Sequence, residues 1–400
     1  MKRASLVLIL AAQIAPAWAS PWTFDPPQTV TEPQAGVFHH LDPAGRRGIA
    51  VSAGVVAIVW EDNRSGIPGA YVAFREPSAS GFRVQKLSSG GEAYEVVVAA
   101  LPNGRFIFGW EENGSVQVRT GTAERLDSTF VLSRGEANQI TLDADAQVVH
   151  AAWSERTDRH AIIRYARFKP NDLGKPIATV AVSPPPTEDQ LYPSLAVLPD
   201  RTWVAWEDRS QGHTRILAAV SKDGRSFAPA QRINRMRSSG RRQVDYGRGP
   251  GATRVALTAI NGQRAAAVWL DKRDFQGGYD VFTALTDDAG TEFGAVEPVQ
   301  DEFGANIGQW HAGIASHKNG TLVCAWDDDR DGSPDIQLSW RSASGWSPNL
   351  TVPGANGPGQ ESSPVLALDP EGELHMAWVE RERSDGPTRV RYLRGRRVMP

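Results

Sequence analysis

Three sets of side chains in this sequence are of the right types for chemistry. Arg47 and Arg254, joined by an arginine from the basic stretch between Arg235 and Arg248, can clamp a carboxylate through paired N–H donors. Tyr94 or Tyr246 with Glu95 has the make-up of a nucleophile and its activating carboxylate. Tyr94, Tyr192 and Trp310 offer faces on which a sugar can stack, with His40 and His311 beside them as hydrogen-bonding partners. Asp327, Asp329, Asp331 and Asp335 fit Asp-x-Asp-x-Asp-Gly-x-x-Asp; alternate carboxylates around a turn glycine suit calcium, the one cofactor the chain suggests. His39-His40 is a metal pair by type, but no third ligand at zinc spacing accompanies it. The competing reading of each set is a hydrated polar surface without chemistry.

What must position these residues is a repeat. Val204-Ala205-Trp206-Glu207-Asp208-Arg209 recurs in looser form around Trp60, Trp110, Trp153, Trp269, Trp326 and Trp378. The residue two after the tryptophan is acidic in all seven copies, and an arginine follows within four positions in six of them. Successive tryptophans lie 50, 43, 53, 63, 57 and 52 residues apart, which suits a four-stranded propeller blade with variable loops. The strand before each acid is apolar on both sides, as a sheet covered on both faces must be. Repetition of the tryptophan and acid in all seven copies, and of the arginine in six, assigns them to architecture. Chemistry belongs to the residues that differ between copies, those opening each inner strand.

The expected fold is therefore all-β: one seven-bladed propeller of four-stranded antiparallel blades over residues 20–400, with blades at about 47–87, 94–132, 139–182, 192–233, 253–299, 311–352 and 363–400. The last blade lacks a strand. Phe24-Asp25-Pro26-Pro27-Gln28-Thr29-Val30 resembles Phe227 to Ile233, which ends the fourth blade, so residues 22–30 are expected to complete the seventh and close the ring.

Net charge is −3 over 400 residues, which gives no general attraction to nucleic acid. Lys2-Arg3, the apolar run Leu6 to Ile14 and Ala17-Trp18-Ala19 read as a signal peptide cleaved after Ala19, with export to a periplasm or beyond. That apolar run is too short to span a bilayer, and no later one approaches the length. The single cysteine, Cys324, excludes an intramolecular disulfide and sits in an apolar strand as a small hydrophobe.

Thr286-Asp287-Asp288-Ala289-Gly290-Thr291-Glu292-Phe293 matches the pattern Ser/Thr-x-Asp-x-Gly-x-x-aromatic, and Ser221 to Phe227 matches it with one residue missing. With the repeats, this resembles the sialidase-like Asp-box (BNR-repeat) β-propeller superfamily. The resemblance implies a ligand site on the channel face, away from the Asp-box turns. The family's sialidases carry Arg-Ile-Pro where this chain has Gly66-Ile67-Pro68, and usually six blades. The expectation is thus a monomeric, non-catalytic module that binds a glycan or an extracytoplasmic protein. The alternative is an exo-acting glycoside hydrolase of sialidase type.

Overall fold

The computed structural model describes residues 21–398 apart from 43–46, 134, 211, 236–250, 273–277 and 302–306. The signal-peptide segment, Tyr246 and most of the basic connector lie outside the described residues. All regular structure within them is β: seven antiparallel sheets, one per repeat, form a seven-bladed propeller. Blade 4 gives the plan. Its strands run Gln190–Leu198, Arg201–Asp208, Arg215–Ser221 and Gln231–Arg232, in sheet order. The inner strand lines the channel and the fourth forms the rim.

Trp60, Trp110, Trp153, Trp206, Trp269, Trp326 and Trp378 all lie on second strands with at most 1% exposure, wedged between neighbouring sheets. Alternation along the strand puts the acid two residues on beside the same indole. In five blades the indole N–H donates to it, from Trp60 to Asp62 at 2.7 Å, Trp110 to Glu112 at 2.9 Å, Trp153 to Glu155 at 3.1 Å, Trp269 to Asp271 at 3.2 Å and Trp326 to Asp328 at 3.1 Å. Asp62 also takes the backbone N–H and the guanidinium of Arg64. Removing that carboxylate strands a buried indole N–H and half a buried ion pair. Asp62→Ala is expected to cost ~3 kcal/mol in urea denaturation, against about 1 kcal/mol or less for Asp385→Ala on an exposed turn.

The ring closes through the N-terminal segment. Trp22–Phe24 and Gln28–Thr29 both pair with the third strand of blade 7, Arg389–Arg397, and supply its outer edge. Blade 1 departs from the plan. Its inner strand is split into His39–His40 and Ile49–Ser52, which pair with the two ends of Val55–Asp62. The blade therefore begins at His39, eight residues before the expected start at Arg47.

The turns between third and fourth strands point away from the channel mouth. Asp223 accepts the amides of Arg225 and Ser226, and Asp287 those of Thr291 and Glu292. Each turn then drops its aromatic residue onto the preceding blade. Phe227 meets Tyr165 edge-on at 5.2 Å, and Phe293 meets Trp203 at 5.0 Å. These turns are blade-to-blade fasteners.

Candidate functional site

Six of the seven inner strands open with a β-bulge; the split inner strand of blade 1 does not. Register shifts occur at Tyr94/Val97, Asn138/Thr141, Leu191/Ser194, Thr253/Ala256, Trp310/Gly313 and Ser362/Val365. At each bulge one residue is left-handed without being glycine: Glu95 (φ 60°), Gln139 (59°), Tyr192 (51°), Arg254 (58°), His311 (51°) and Ser363 (57°). An L-residue in that region is strained by ~1 kcal/mol, so the surroundings must enforce it. The bulge turns the amide of that residue out of its own sheet and toward the preceding blade.

The preceding blade answers with a side-chain oxygen. Glu61 accepts the amide of Glu95 at 2.5 Å, Glu95 that of Gln139, and Gln139 that of Tyr192 at 2.7 Å. Glu207 accepts that of Arg254 at 2.8 Å and Asp327 that of Ser363 at 2.9 Å. The acceptor comes from one of two places in the preceding blade, its own bulge residue or the residue just after its tryptophan. For His311 of blade 6, blade 5 offers Arg254 and Leu270 in those places. Neither can accept, and no side-chain acceptor for this amide is in place among the described residues. Among the described residues the girdle therefore lacks its link between blades 5 and 6, and it also ends at blade 1, whose split inner strand shows no such bulge.

This seam also carries exposed aromatic surface. Trp310 is 44% exposed and braced edge-on by Tyr279 at 5.1 Å. His311 holds Asp327 through Nδ1 at 2.8 Å. Burial lowers the pKa of this imidazole, but the Asp327 bond and the charges of Asp327 and Asp42 outweigh it and the net shift is upward. Arg254 lies over the Tyr192 ring at 3.7 Å, with Asp42 at 3.9 Å from Nη1. Burial raises the pKa of Glu207, against the bonds from Thr253 and Arg254.

Side chains of blade 1 reach two other blades. Asp42 and Arg47 flank the break in its inner strand. Asp42 reaches Arg254 of blade 5, and Arg47 forks onto Asp143 of blade 3 at 2.6 and 2.8 Å. On the turn side of that bridge lies a cavity of about 260 Å³ walled by Ile49, Val51, Ala99, Ile314, Leu366 and Leu368.

Several expected groupings are not formed. Arg47 and Arg254 each hold a different internal carboxylate, so they do not form a common clamp. Tyr94 and Glu95, being adjacent in the strand, point apart. Tyr94 donates its hydroxyl to Glu92 at 2.9 Å, and the Glu95 carboxylate serves the Gln139 amide. The Glu92 bond pushes the Tyr94 phenol up, away from phenolate. His39 and His40 alternate likewise: His39 is buried against Thr388 and Asp62, while His40 faces Glu61 at 3.0 Å.

The four-aspartate set also diverges: Asp327 lies near the end of the second strand, Asp329 and Asp331 in the turn that follows, and Asp335 opens the third strand opposite Asp328, on the other face from Asp327. Asp327 turns to His311 and Ser363, and Asp329 accepts the Gly308 amide at 3.3 Å. Asp331 is exposed, and Asp335 is buried beside Glu361. Among the described residues, the trio whose ligand atoms lie within 4.8 Å of one another is Asp369, Glu373 and His375. Internal bonds of blade 7 account for it: Asp369 caps the amides of Glu371 and Glu373, His375 meets the Tyr392 hydroxyl at 2.7 Å, and Glu373 pairs with Arg394.

Sequence reasoning placed the channel ring correctly on the inner-strand openings but missed its logic. The bulge residues are Glu, Gln, Tyr, Arg, His and Ser, with no glycine to mark a left-handed position. The one available signal was Leu270, a leucine at a place where four of the other six repeats carry an acid.

The class defined by this architecture is the β-propeller, and comparisons with known proteins support that much. The propeller domain of the Trilobed protease from Pyrococcus furiosus is similar at 12% identity and a TM-score of 0.54, covering 92% of this chain and 97% of that one. It is described as having an open velcro topology, whereas here the N-terminal strands close the last blade. Acylaminoacyl peptidase from Pyrococcus horikoshii is similar at 12% identity and a TM-score of 0.52, with 91% of this chain matching 53% of that one. The GH93 α-L-arabinofuranosidase of Fusarium graminearum matches at 12% identity over 75% of this chain and 92% of that one, but its TM-score of 0.48 is too low to bear on fold or activity. No protein-family model matches the chain, and no curated protein sequence does either.

Proposed function

We propose that this chain is an exported, non-catalytic binding propeller that takes a glycan at its channel mouth, on the sector between blades 5 and 6. The observation that carries this reading is the break in the girdle. His311 presents a backbone donor that blade 5 cannot satisfy, next to an exposed, braced Trp310. A sugar stacked on the indole can bring a hydroxyl oxygen to that amide, joining an apolar face to a fixed polar group. The carboxylates of Glu61, Glu95, Glu207 and Asp327 are committed to inter-blade amides, which suits a rigid receptor better than a reaction centre. A raised Tyr94 and arginines tied to internal carboxylates weigh against the sialidase-type alternative.

The test is titration of purified protein with a panel of neutral and acidic oligosaccharides, followed by tryptophan fluorescence. Trp310→Ala is expected to weaken the best ligand at least tenfold, the ~1–3 kcal/mol of a lost stacking contact, with the thermal melt unchanged. Leu270→Glu, which gives blade 5 the residue that blade 4 has at this position, is expected to weaken it comparably by capping the His311 amide. A panel without a binder, or a ligand indifferent to Trp310→Ala, would defeat this reading. Release of 4-methylumbelliferone from its sialoside, lost in Arg254→Ala, would restore the hydrolase.

A further inference from the structure

A second set of donors gathers on the opposite face, where the turns lie. The turn joining inner and second strands of blade 5, the corresponding turn of blade 6, and the ends of the third strands of blades 6 and 7 enclose a groove of about 370 Å³. Three guanidiniums line it, one from each blade: Arg264, Arg341 and Arg397. Arg397 reaches across to blade 6, where its guanidinium bonds the Thr321 hydroxyl at 2.8 Å, its one side-chain bond among the described residues. The Nε–H of Arg341 is buried without an acceptor, and its Nη2 meets Glu297 at 3.3 Å. Arg264 bonds the Thr286 carbonyl at 2.8 Å and has Asp288 at 3.4 Å. Asp288 is 98% exposed, and neither it nor Glu297 lines the groove. The Asn319 side-chain oxygen accepts the Thr321 amide, which leaves its NH₂ as a further donor.

We infer that this groove binds a tetrahedral oxyanion, the sulfate or phosphate group of an ester or the free ion. Guanidiniums arriving from three blades suit a group with three terminal oxygens, and each fork can take two of them. The two carboxylates at the rim neutralise two of the three cations; Arg397 supplies the charge left over. A donor-rich groove with no carboxylate in its lining is what such an anion completes. The site is independent of the channel mouth, since inner strands run from one face to the other.

Calorimetric titration of the full chain with inorganic sulfate and phosphate, at ionic strength fixed with chloride, tests this. One saturable site is expected, weakened at least tenfold by Arg397→Ala and by Arg264→Gln. Arg397 is exposed, so its removal leaves the fold intact; equal melts verify this. Trp310→Ala is expected to leave anion binding unchanged. A sulfated oligosaccharide that displaces sulfate while its desulfated form does not identifies an ester as the source; displacement by neither identifies the free ion. No saturation up to ~50 mM, or the same affinity in Arg397→Ala, overturns the inference. So does a loss in Trp310→Ala, which would put the anion at the mouth.

Discussion

Deleting residues 20–31 is expected to destabilise the protein by at least ~5 kcal/mol, many times the effect of trimming an ordinary tail. The segment does more than finish a sheet. Trp22, 4% exposed, packs with Val323, Leu338 and Val352 of blade 6, while Val30 packs with Ile58 and Trp60 of blade 1. One short stretch thus seals both seams of blade 7. Burial of Trp22 and Val30 contributes ~3–5 kcal/mol. The ladder adds ~1 kcal/mol for each well-made bond, among them Val30 N–H to Val390 O at 2.9 Å and Asp25 N–H to Arg394 O at 2.8 Å. Asp25 and Arg396 form a bidentate pair at 2.9 Å on the exposed side, worth less because water screens it. Without the segment, the third strand of blade 7 becomes a bare edge. Urea denaturation of both forms provides the comparison, and an unchanged midpoint in the shortened chain would falsify the closure.

The second large effect is a loss of stability toward alkaline pH, and it traces to the seam between blades 6 and 7. Glu361 and Asp335 are both about 95% buried and lie against each other. Burial first, then the Asp335 bond and the charges of Asp335 and Glu380, push the Glu361 carboxyl up to about 8 from an ordinary 4.5. Asp335 is raised as well, chiefly by burial. A Glu361 Oε2 without a hydrogen-bond partner adds to the cost of ionising it. The folded state therefore binds a proton that the unfolded chain has already lost. The resulting stabilisation is complete below about pH 4.5 and is lost as pH rises through about 8. Its size is on the order of a few kcal/mol. Glu361→Gln keeps a neutral amide beside Asp335, so the mutant is expected to lose this dependence and to exceed the wild type in stability at pH 9. Melting curves from pH 5 to pH 9 decide the matter, and parallel curves for the two proteins would show that the pair does not share a proton.

The candidate site was half visible from the chain alone. Trp310, His311, Tyr192, Tyr94 and Arg254 were placed on inner-strand openings because those residues vary where the rest of the repeat does not. Their pairings were not visible. Arg47 belonged to a plausible clamp until a fold put Asp143 opposite it. The four aspartates look like one coordination shell in the sequence, but they are spread over the end of one strand, an exposed turn and the start of the next strand, and they separate into unrelated contacts. A linear motif records spacing along the chain and holds no information about which face has a neighbour.

What the sequence determined by itself is the blade. An apolar second strand, a tryptophan and an acid two residues later are local features, and they repeat because every blade must be covered on both faces; in five blades the acid also satisfies the indole N–H. The N-terminal resemblance to a fourth strand likewise revealed the closure, because a missing strand leaves a gap in a periodic pattern. What the tertiary structure alone decided is the girdle. Its bonds join residues 34 to 53 positions apart, from amides exposed by non-glycine bulges to side-chain acceptors of the preceding blade, and each depends on the register of one sheet against the next. The incomplete link at His311 exists only as a relation among Leu270, Arg254 and a neighbouring backbone, so it became readable only when the ring was closed.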